Sequence, residues 1–395
     1  MSQPTVIVQK FGGTSVSTPD RRDLVTGHVR RALAAGQQVA VVISAIGRRG
    51  DPYATDTLLD LLRAGGAPVD PRDYDLMFTC GEAISVALMS HTLRQAGVAA
   101  VGLTSAQARI YTDGHHVESE IVEIDTSRLH ALMAAGQVPV ITGGQGVAPG
   151  TLDYTTLGRG GSDTSGVAVG VALHAHHVDI FTDVDGVATV DPRIVPTARM
   201  RGHVSYGAMY ELARFGAKVV HPRALLTGWK GRTPVVVRST FSDSPGTTVA
   251  DVTDEEPLVG LALLPPMDTF ALPAGCVNDT TRETWERRRL VMSMTDSRTG
   301  RLLVGATADK AVDLRDALAE AGTDPLRRDG ACCWLSVVGE AGALREHLPR
   351  LSALLAQQAI DVHGCEVGER RCTFVVPDAA RDRAARLAHA AIWPM

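Results

Sequence analysis

The sequence predicts a mixed α/β protein whose larger, N-terminal part is a three-layer α/β/α domain. In the first 250 residues, short runs of β-branched and apolar residues alternate with Ala- and Leu-rich stretches of helical character. Continuous apolar runs between helices are typical of a mainly parallel sheet covered on both faces. After residue 257 the pattern of strand-like and helix-like segments changes, which predicts a separate C-terminal part.

The predicted elements of the N-terminal part follow one another in a regular order. The first strand is Val6–Val8, a helix is expected over Asp20–Ala35, and a buried strand follows at Val39–Ser44. Three further strands are expected, at Val98–Leu103, Val138–Ile141 and Val178–Phe181. Open sheets of this kind bind ligands at the carboxyl ends of their strands, so polar residues at those ends are candidate site residues.

The C-terminal part is expected to begin after a polar, acidic linker at 251–257. Strands are predicted at Leu302–Gly305, Cys333–Val338, Ile360–Val362 and Cys372–Val376, and helices at Asp309–Ala321, Ala343–Gln357 and from Asp378 onward. This alternation indicates small βαβ units, interpreted as two modules of one kind packed together. The predicted domains are therefore 1–250 and 258–395.

Composition narrows the class of protein. The chain has 395 residues, of which 45% are hydrophobic and 21% charged, and its formal net charge is −5. These values are typical of a globular protein and give no sign of a surface for nucleic acid or anionic membranes. The apolar runs fall short of the roughly 18 residues that span a bilayer. The six cysteines lack CxxC or metal-ligand spacing, and a strand begins almost at once, so we expect a cytoplasmic protein with reduced thiols and no secretory signal.

Two glycine-rich segments are candidate phosphate-binding loops. Gly12-Gly13-Thr14-Ser15 follows the first strand, and Gly158-Arg159-Gly160-Gly161-Ser162-Asp163-Thr164-Ser165 precedes an Ala/Val/Gly helix. Glycines let backbone amides approach an anion, and a helix N-terminus adds partial positive charge. The alternative is that both segments are simple tight turns.

Lysine is scarce, which draws attention to the positions where it remains. Only Lys10, Lys218, Lys230 and Lys310 occur among 39 basic residues. Lys10 enters the first glycine loop, and Lys218 stands in Phe215-Gly216-Ala217-Lys218. A lysine ammonium is a compact point charge that suits a moving phosphoryl group, whereas arginine is a broad fork. The alternative is that these few lysines remain by chance and have no role in phosphoryl transfer.

Further polar residues occur at or near predicted strand ends. They are Ser44, Glu82, Thr182, Asp183 and the turn Asp191-Pro192-Arg193. Taken singly, Glu82 is more simply a solvated helix cap and Arg193 a surface residue. Together, two lysines and a helix terminus can neutralise a triphosphate, while an arginine and a glutamate can bind the carboxylate and ammonium of a zwitterion. Phosphoryl transfer needs mainly positioning and charge neutralisation, with Mg²⁺ bridging phosphates.

The ordered motifs resemble the aspartate kinases (aspartokinases) of the amino-acid kinase superfamily. The matching segments are Lys10–Ser15, Gly50–Asp56, Gly81-Glu82, Gly158–Ser165, Phe181–Gly186, Asp191–Arg193 and Phe215–Pro222. The resemblance covers roughly residues 5 to 250. It implies transfer of the ATP γ-phosphoryl group to the side-chain carboxylate of L-aspartate, giving 4-phospho-L-aspartate, with ATP and Mg²⁺ required.

The resemblance also implies roles for individual residues. Lys10, Asp163 and Lys218 match catalytic positions, and Asp163 is expected to orient either the lysines or the substrate amine. The substrate-binding positions are Thr14, Ser44, Glu82, Arg159 and Ser162, with Arg159 on a carboxylate and Glu82 near the ammonium. The ATP-binding positions are Gly12, Gly13, Gly160, Gly161, Thr182, Asp183, Arg193 and Lys218. No residue is assigned as a metal ligand.

Several departures from the family pattern are visible. Where the family commonly reads Gly-Phe-Gln-Gly this chain has Gly143-Gly144-Gln145-Gly146, so an aromatic wall is expected to be missing. Ala188 stands where a larger residue is usual near the nucleotide. The family's tail carries two ferredoxin-like ACT modules that bind lysine or threonine. In this chain the second module is divergent, and the region in place of the first module barely resembles it. We therefore expect a C-terminal region that still dimerises but has lost inhibitor binding.

Three functions remain open at this point. The first is a competent aspartate kinase in lysine, threonine and methionine biosynthesis, working as a homodimer or larger homo-oligomer. The second is a feedback-insensitive paralogue in specialised metabolism that acts on aspartate or a close analogue. The third is a regulatory relative that binds nucleotide or amino acid without turnover, against which the intact Lys10, Glu82, Arg159 and Asp163 argue.

Overall fold

A computed structural model describes residues 5–273, 275–278, 281, 285, 292–308, 310–320 and 327–394. Contacts divide the described chain into two compact units. The first spans the residues up to Val187 together with Arg201–Tyr206 and Val219–Thr253. The second spans Ala188–Met200, Gly207–Lys218 and the described residues from Asp254 onward.

The strands and helices up to residue 250 alternate along the chain. The strands are β1 Val6–Phe11, β2 Gln38–Ile43, β3 Ala100–Leu103, β4 Ile110–Thr112, β5 Ile121–Ile124, β6 Val138–Thr142, β7 Gln145–Val147, β8 Tyr154–Thr156, β9 His177–Thr182, β10 His203–Ser205, β11 Val235–Ser239 and β12 Thr247–Ala250. The helices are α1 Pro19–Ala34, α2 Thr55–Arg63, α3 Pro71–Gln95, α4 Ser127–Ala134, α5 Gly161–Ala172, α6 Tyr206–Arg214 and α7 Pro222–Gly231.

An eight-stranded sheet in the order β10-β12-β11-β9-β1-β2-β6-β3 forms the centre of the first unit. Its four central strands, β9, β1, β2 and β6, are parallel, so their carboxyl ends meet at one edge. Alternate residues of β1 face opposite sides: Ile7 and Phe11 pack with α1 and α3, whereas Lys10 lies under Gly166 of α5. The sheet is therefore covered on both faces.

A second, smaller sheet was not anticipated from the sequence. It has four strands in the order β5-β4-β7-β8, and β7 follows β6 after the two residues Gly143 and Gly144. Its strands are three or four residues long, too short to give a readable alternation of polar and apolar residues.

Helix α3 is long and apolar enough to meet a length-and-composition test for a membrane span. We interpret it as a core helix, since long core helices pass the same test. Its Val86, Met89 and Leu93 pack into the cluster that includes β1 and β2. It also carries two buried carboxylates, Asp75 and Glu82, which contact other parts of the first unit.

The second unit contains most of α6 and, among its described residues from 254 onward, an antiparallel sheet with helices between and after its strands. Its elements are β13 Leu258–Leu263, β14 Met267–Leu272, β15 Met292–Thr295, β16 Leu302–Ala306, α8 Ala311–Glu320, β17 Arg327–Gly339, α9 Ala341–Gln357, β18 Gly364–Val367, β19 Arg371–Pro377 and α10 Arg381–Ile392. The strand order is β15-β16-β14-β17-β19-β18. The long β17 pairs with β14 along its first half and with β13 along its second.

The predicted fold class is confirmed, with local corrections. The strand expected at Ile360–Val362 is wrong, because the strand is Gly364–Val367. Ile360 instead donates its N–H to Leu355 O at the end of α9, and Ala359 adopts a positive φ of 53°. The predicted helix Asp309–Ala321 is found as Ala311–Glu320, and its two predicted ends lie outside the described residues. The domain bounds 1–250 and 258–395 stay a prediction.

Candidate active site

A cleft of about 180 Å³ opens in the first unit at the carboxyl ends of β1 and β9. The polar residues that line it come from separate elements and the loops beside them: Lys10, Thr14, Ser15, Arg48, Asp163, Thr182 and Asp183. The backbone of Gly12 forms a further part of the wall. Positively and negatively charged side chains therefore line the same small cleft.

Lys10 and Asp163 form the buried ion pair of this cleft. Lys10 Nζ lies 2.6 Å from Asp163 Oδ1, and the two side chains are only 9% and 14% exposed. The second carboxylate oxygen, Oδ2, accepts the N–H of His221 at 3.3 Å. The His221 N–H thus holds one carboxylate oxygen of Asp163, and the other oxygen fixes the lysine ammonium. This geometry favours the first of its two expected roles, the orientation of a lysine.

The first glycine loop leaves β1 as a short 3-10 turn over Gly13–Val16. Gly13 has no room for a side chain, because a Cβ there would lie 2.2 Å from Ala45 O. The loop that follows β2 therefore packs directly on this turn, and Gly47 N–H donates to Gly13 O at 3.1 Å. The close approach brings the ends of β1 and β2 together.

The second glycine loop ends at the N-terminus of α5. Gly160 is the N-cap residue with a positive φ of 69°, and a Cβ there would lie 2.0 Å from the His221 ring. Asp163 stands in the first turn of α5, where the helix dipole favours a negative charge. The Gly161 N–H donates to Gly158 O at 3.1 Å, and the N-terminus of this helix offers further backbone N–H groups suited to bind an anion.

Ser44 and Ser162 lie together beside the cleft. The Ser44 hydroxyl at the end of β2 donates to the Ser162 Oγ at 2.8 Å, although 118 positions separate them. Arg159, in the turn before α5, is exposed to solvent. The structure thus brings two of the predicted substrate-binding residues into direct contact and leaves the Arg159 guanidinium at the surface.

Glu82 is buried in the middle of α3, so the alternative of a solvated helix cap is wrong. It is 2% exposed, and its Oε1 accepts the N–H of Ala45 at 3.2 Å. Its Oε2 makes no hydrogen bond to any residue that the structure describes. Burial raises the pKa of the Glu82 carboxyl to about 8, against smaller opposing effects of backbone N–H groups, that of Ala45 among them, and of the Thr55 hydroxyl. Glu82 is thus a buried acid in contact with the backbone that directly follows Ser44.

The ring of Phe78 lies beside Gly144, the position where the sequence lacks an aromatic residue. A Cβ at Gly144 would lie 3.4 Å from the N atom of Ser162 and 3.5 Å from ring atoms of Phe78. Phe78 belongs to α3, so a different element supplies aromatic surface beside Gly144. Gly144 itself carries no side chain, so the expectation that this position lacks an aromatic wall stays a prediction.

The remaining predicted residues, Arg193 and Lys218, lie in the second unit. Arg193 makes an ion pair with Asp191, whose carboxyl pKa it holds below the usual range. Lys218 directly precedes Val219, a residue that lines the cleft. Ala188, noted for its small size, pairs with Met200 in an isolated bridge of the second unit.

The Phe215-Gly216 segment that leads to Lys218 is anchored within the second unit. Arg371 of β19 stacks on the Phe215 ring at 3.9 Å and forms ion pairs with Glu211 and Glu366. A Cβ at Gly216 would lie 2.1 Å from Leu263 O. The C-terminal sheet therefore fixes the backbone that carries Lys218.

Sequence reasoning missed Arg48 and Phe78. Arg48 lines the cleft and contacts Thr14 and Asp183, both of them predicted site residues. The only available signal for Arg48 was its place shortly after β2, at the edge where ligands bind. For Phe78 we find no local signal, because its contact with Gly144 joins positions far apart in the chain.

Comparison with known proteins places the chain in a family. Residues 5–239 match the model of the amino acid kinase family. Aspartokinase 1 of Bacillus subtilis is 44% identical over 278 residues, which is 68% of this chain and 68% of that protein. An aspartokinase of Mycolicibacterium smegmatis is 41% identical over 64% of this chain and 59% of its own length. The chain thus spans about three fifths to two thirds of these relatives.

Solved structures extend the likeness of fold over nearly the whole chain. Aspartokinase III of Escherichia coli, in complex with aspartate and ADP, superimposes with a TM-score of 0.79 at 22% identity, covering 98% of this chain and 100% of that one. An aspartate kinase of Clostridium acetobutylicum gives a TM-score of 0.74 at 19% identity over 98% and 99% of the two chains. With the matched residues 5–239 and the 44% identical relative, these findings establish that the chain belongs to the amino acid kinase family and, within it, to the aspartokinases.

Proposed function

We propose that this chain transfers the γ-phosphoryl group of ATP to the side-chain carboxylate of L-aspartate. A carboxylate oxygen forms a bond to the γ-phosphorus, the bond from that phosphorus to the β-phosphate oxygen breaks, and ADP leaves with the electron pair. No proton has to move in this step. The observation that carries the proposal is the buried Lys10–Asp163 pair in a cleft bounded by two glycine loops.

The Lys10 ammonium is proposed to stabilise the transferring group. Negative charge spreads over the equatorial oxygens of the phosphoryl group in the transition state, and a fixed cation in a partly dehydrated site stabilises it strongly. Asp163 keeps the ammonium in place at 2.6 Å and is itself held by the His221 N–H. Such preorganisation avoids the need to orient the lysine during the reaction.

Ser44, Ser162 and Glu82 are proposed to bind the aspartate. The two hydroxyls are hydrogen-bond donors for a carboxylate, and Oε2 of Glu82 is directed to a position without a described partner. An ammonium group beside Glu82 would favour its ionised form and lower the carboxyl pKa from about 8. Aspartate binding near neutral pH should therefore release a proton. Arg159 is proposed to bind the second carboxylate from the surface.

The nucleotide is proposed to lie along the two glycine loops. Gly12, Gly13 and Thr14 offer backbone and hydroxyl donors on one side, and Gly160 and Gly161 offer the N-terminus of α5 on the other. Thr182 and Asp183 follow β9 at the same edge. Contacts from Arg193 and Lys218 to the nucleotide are proposed from their motif positions.

The donor set fits a Mg²⁺ ion that arrives with the nucleotide. Asp163 and Asp183 both line the cleft, while the residues that the structure describes form no cluster of three or more His, Cys, Asp or Glu side chains suited to a metal. Mg²⁺ typically keeps several waters and binds one or two carboxylates together with substrate phosphates. Asp163 and Asp183 would hold it together with the nucleotide, and when bound it would neutralise charge on the phosphates.

We further propose a cytoplasmic enzyme of amino-acid biosynthesis that forms a homodimer or larger homo-oligomer through its C-terminal sheet. The alternative of a feedback-insensitive paralogue has one supporting observation: sequence similarity to the curated relatives leaves about a third of the chain unmatched. The C-terminal sheet domain is present, so this alternative concerns effector binding and leaves the catalytic chemistry unchanged.

ATP-dependent hydroxamate formation tests the proposed function. The acyl phosphate is trapped with hydroxylamine, using aspartate, glutamate and asparagine as acceptors and omitting Mg²⁺ in a parallel series. We expect hydroxamate with aspartate, little with the other two, and none without a divalent ion. An absence of turnover with aspartate and its analogues would leave only a binding protein, the third function considered above.

A further inference from the structure

Among the described residues that line the cleft, Arg48 is the cation to which the resemblance gave no role. Its guanidinium lies across the mouth of the cleft: Nε donates to Thr14 Oγ1 at 3.2 Å, and Nη2 lies 3.3 Å from Asp183 Oδ2. Thr14 follows β1 and Asp183 follows β9, so the side chain links the two loops on either side of Lys10.

The backbone of Arg48 is fixed against the first glycine loop. Its N–H donates to Asp51 Oδ2 at 2.8 Å, and its carbonyl accepts the Asp51 N–H at 2.9 Å. The preceding residue, Gly47, donates its own N–H to Gly13 O. The backbone of Arg48 is therefore held in a fixed position directly beside the proposed phosphate-binding turn.

The side chain of Arg48, in contrast, is held weakly. It is 72% exposed, its partner Asp183 is 55% exposed, and the ion pair is long at 3.3 Å. Exposed pairs of this kind contribute little to stability because water and salt screen them. A dianionic or trianionic phosphate group in the cleft would offer the guanidinium more charge and two acceptor oxygens in a geometry that matches its fork.

We propose that Arg48 is a further phosphate-binding residue, which leaves Asp183 and binds the terminal phosphates of the nucleotide when the cleft is filled. This inference rests on the proposed function for the identity of the ligand. When Arg48 leaves Asp183 for the phosphates of an entering nucleotide, the Asp183 carboxylate also loses this ion pair. Lys10 would then act as a buried point charge below the phosphoryl group, and Arg48 as a fork that covers it from the solvent side.

The neighbouring Arg49 provides a matched control. It has the same side chain, similar exposure at 63%, and an ion pair of its own with Asp60 at 3.0 Å. Arg49 does not belong to the residues that line the cleft. Arg48→Ala and Arg49→Ala thus remove one exposed arginine each from the same loop and should leave the unfolding temperature close to that of the wild type.

The experiment measures nucleotide affinity and turnover in the full chain. For Arg48→Ala we expect binding of ATP, assayed with a non-hydrolysable analogue, to weaken by about 10- to 100-fold, with AMP affinity unchanged because AMP lacks the terminal phosphates. The kcat for aspartate should also fall, and Arg48→Lys should recover only part of the loss. Arg49→Ala should match the wild type in all measurements.

The outcomes separate this inference from the proposed function. Equal ATP affinity in Arg48→Ala and Arg49→Ala would overturn the role of Arg48, and so would a parallel loss of AMP affinity, which indicates a disturbed loop. An active wild-type enzyme with either result leaves the proposed function intact. A wild type that binds the ATP analogue through Arg48 but does not phosphorylate aspartate would overturn the function alone.

Discussion

Burial distinguishes ion pairs that have the same length in this chain. Lys10–Asp163 and Arg31–Asp243 both measure 2.6 Å, but the first pair is 9% and 14% exposed and the second 60% and 85%. An exposed pair contributes roughly 0–1 kcal/mol and is screened by salt. A pair that is largely removed from water interacts more strongly and depends on an exact fit of both groups. The geometry of Lys10 should therefore tolerate little change.

Replacing Lys10 by arginine tests this at the reaction centre. Lys10→Arg keeps the positive charge, but the broad guanidinium cannot take the place of the compact ammonium beside Asp163, so we expect kcat to fall at least ~100-fold. Steady-state kinetics of hydroxamate formation provide the measurement. Lys230→Arg, an exposed change at the end of α7, is the control. Near-normal kcat in Lys10→Arg would refute the role given to the ammonium.

Glu82 should make stability depend on pH. Because burial raises the pKa of the folded-state carboxyl from 4.5 to about 8, both states bind the proton below pH 4.5. Above that pH the unfolded chain ionises first, so stability falls as pH rises toward 8. Glu82→Gln removes this dependence, and we expect its stability relative to wild type to increase by about 3 kcal/mol between pH 5 and 7.5.

Chemical denaturation at the two pH values measures this difference. The exposed Glu123→Gln on β5 is the matched control and should follow the wild type. A gap between Glu82→Gln and wild type that stays constant with pH would contradict a neutral buried Glu82. The same variant should raise the KM for aspartate, since it cannot offer a carboxylate to the ammonium.

At the scale of elements, α3 joins several parts of the first unit through its buried carboxylates. Asp75 is fully buried and accepts hydrogen bonds from Thr156 Oγ1, at 2.5 Å, and from the Val117 N–H, and it contacts His116 Nδ1 at 2.7 Å. These partners lie on β8 and on the loop between β4 and β5. One side chain thus ties the small sheet to the helix that carries Phe78 and Glu82.

Asp75→Asn should loosen this connection. The amide has the shape of the carboxylate but presents an N–H group to hydrogen-bond donors, leaving buried polar groups unpaired. We expect a loss of about 2–4 kcal/mol in the free energy of unfolding. Asp73→Asn, exposed in the first turn of the same helix, should change it by less than about 1 kcal/mol. Equal stabilities for the two variants would exclude a structural role for Asp75.

At the scale of the whole molecule, two of the predicted site residues belong to the second unit. Arg193 and Lys218 belong to the unit that contains the C-terminal sheet, although both lie within the first 250 residues. Arg371 of that sheet holds the backbone before Lys218 through Phe215 and Glu211. Within this unit, the C-terminal sheet therefore holds the segment that leads to Lys218.

The divergent C-terminal region leads to a prediction about regulation. We expect aspartate-dependent hydroxamate formation to be insensitive to added lysine and threonine, alone and together. Light scattering on the same preparation should report a homodimer or larger assembly. Inhibition by lysine would show that an effector site survives in the C-terminal sheet, and a monomer at assay concentration would refute the proposed dimerising role.

The sequence by itself determined the features that are encoded locally. Apolar runs separated by helices predicted the parallel sheet, and the glycine loops with Lys10, Ser44, Asp163 and Asp183 predicted which edge of it would bind a ligand. The sheet is confirmed, and the ligand-binding edge stays a prediction; both could be read from the sequence because strand ends, glycine turns and helix N-termini depend on neighbouring residues. The short strands of the second sheet carry too few residues for such a pattern.

Contacts between residues far apart in the chain were decided only by the tertiary structure. Whether Glu82 was a solvated cap or a buried acid depended on the packing of α3 against the Ala45 loop, which also raises its pKa. The ring of Phe78 lies beside Gly144, and Arg48 reaches Thr14 and Asp183, only because separate elements meet at one sheet edge. Burial and contact are properties of the folded chain, so a single sequence names the candidate residues but cannot give their surroundings.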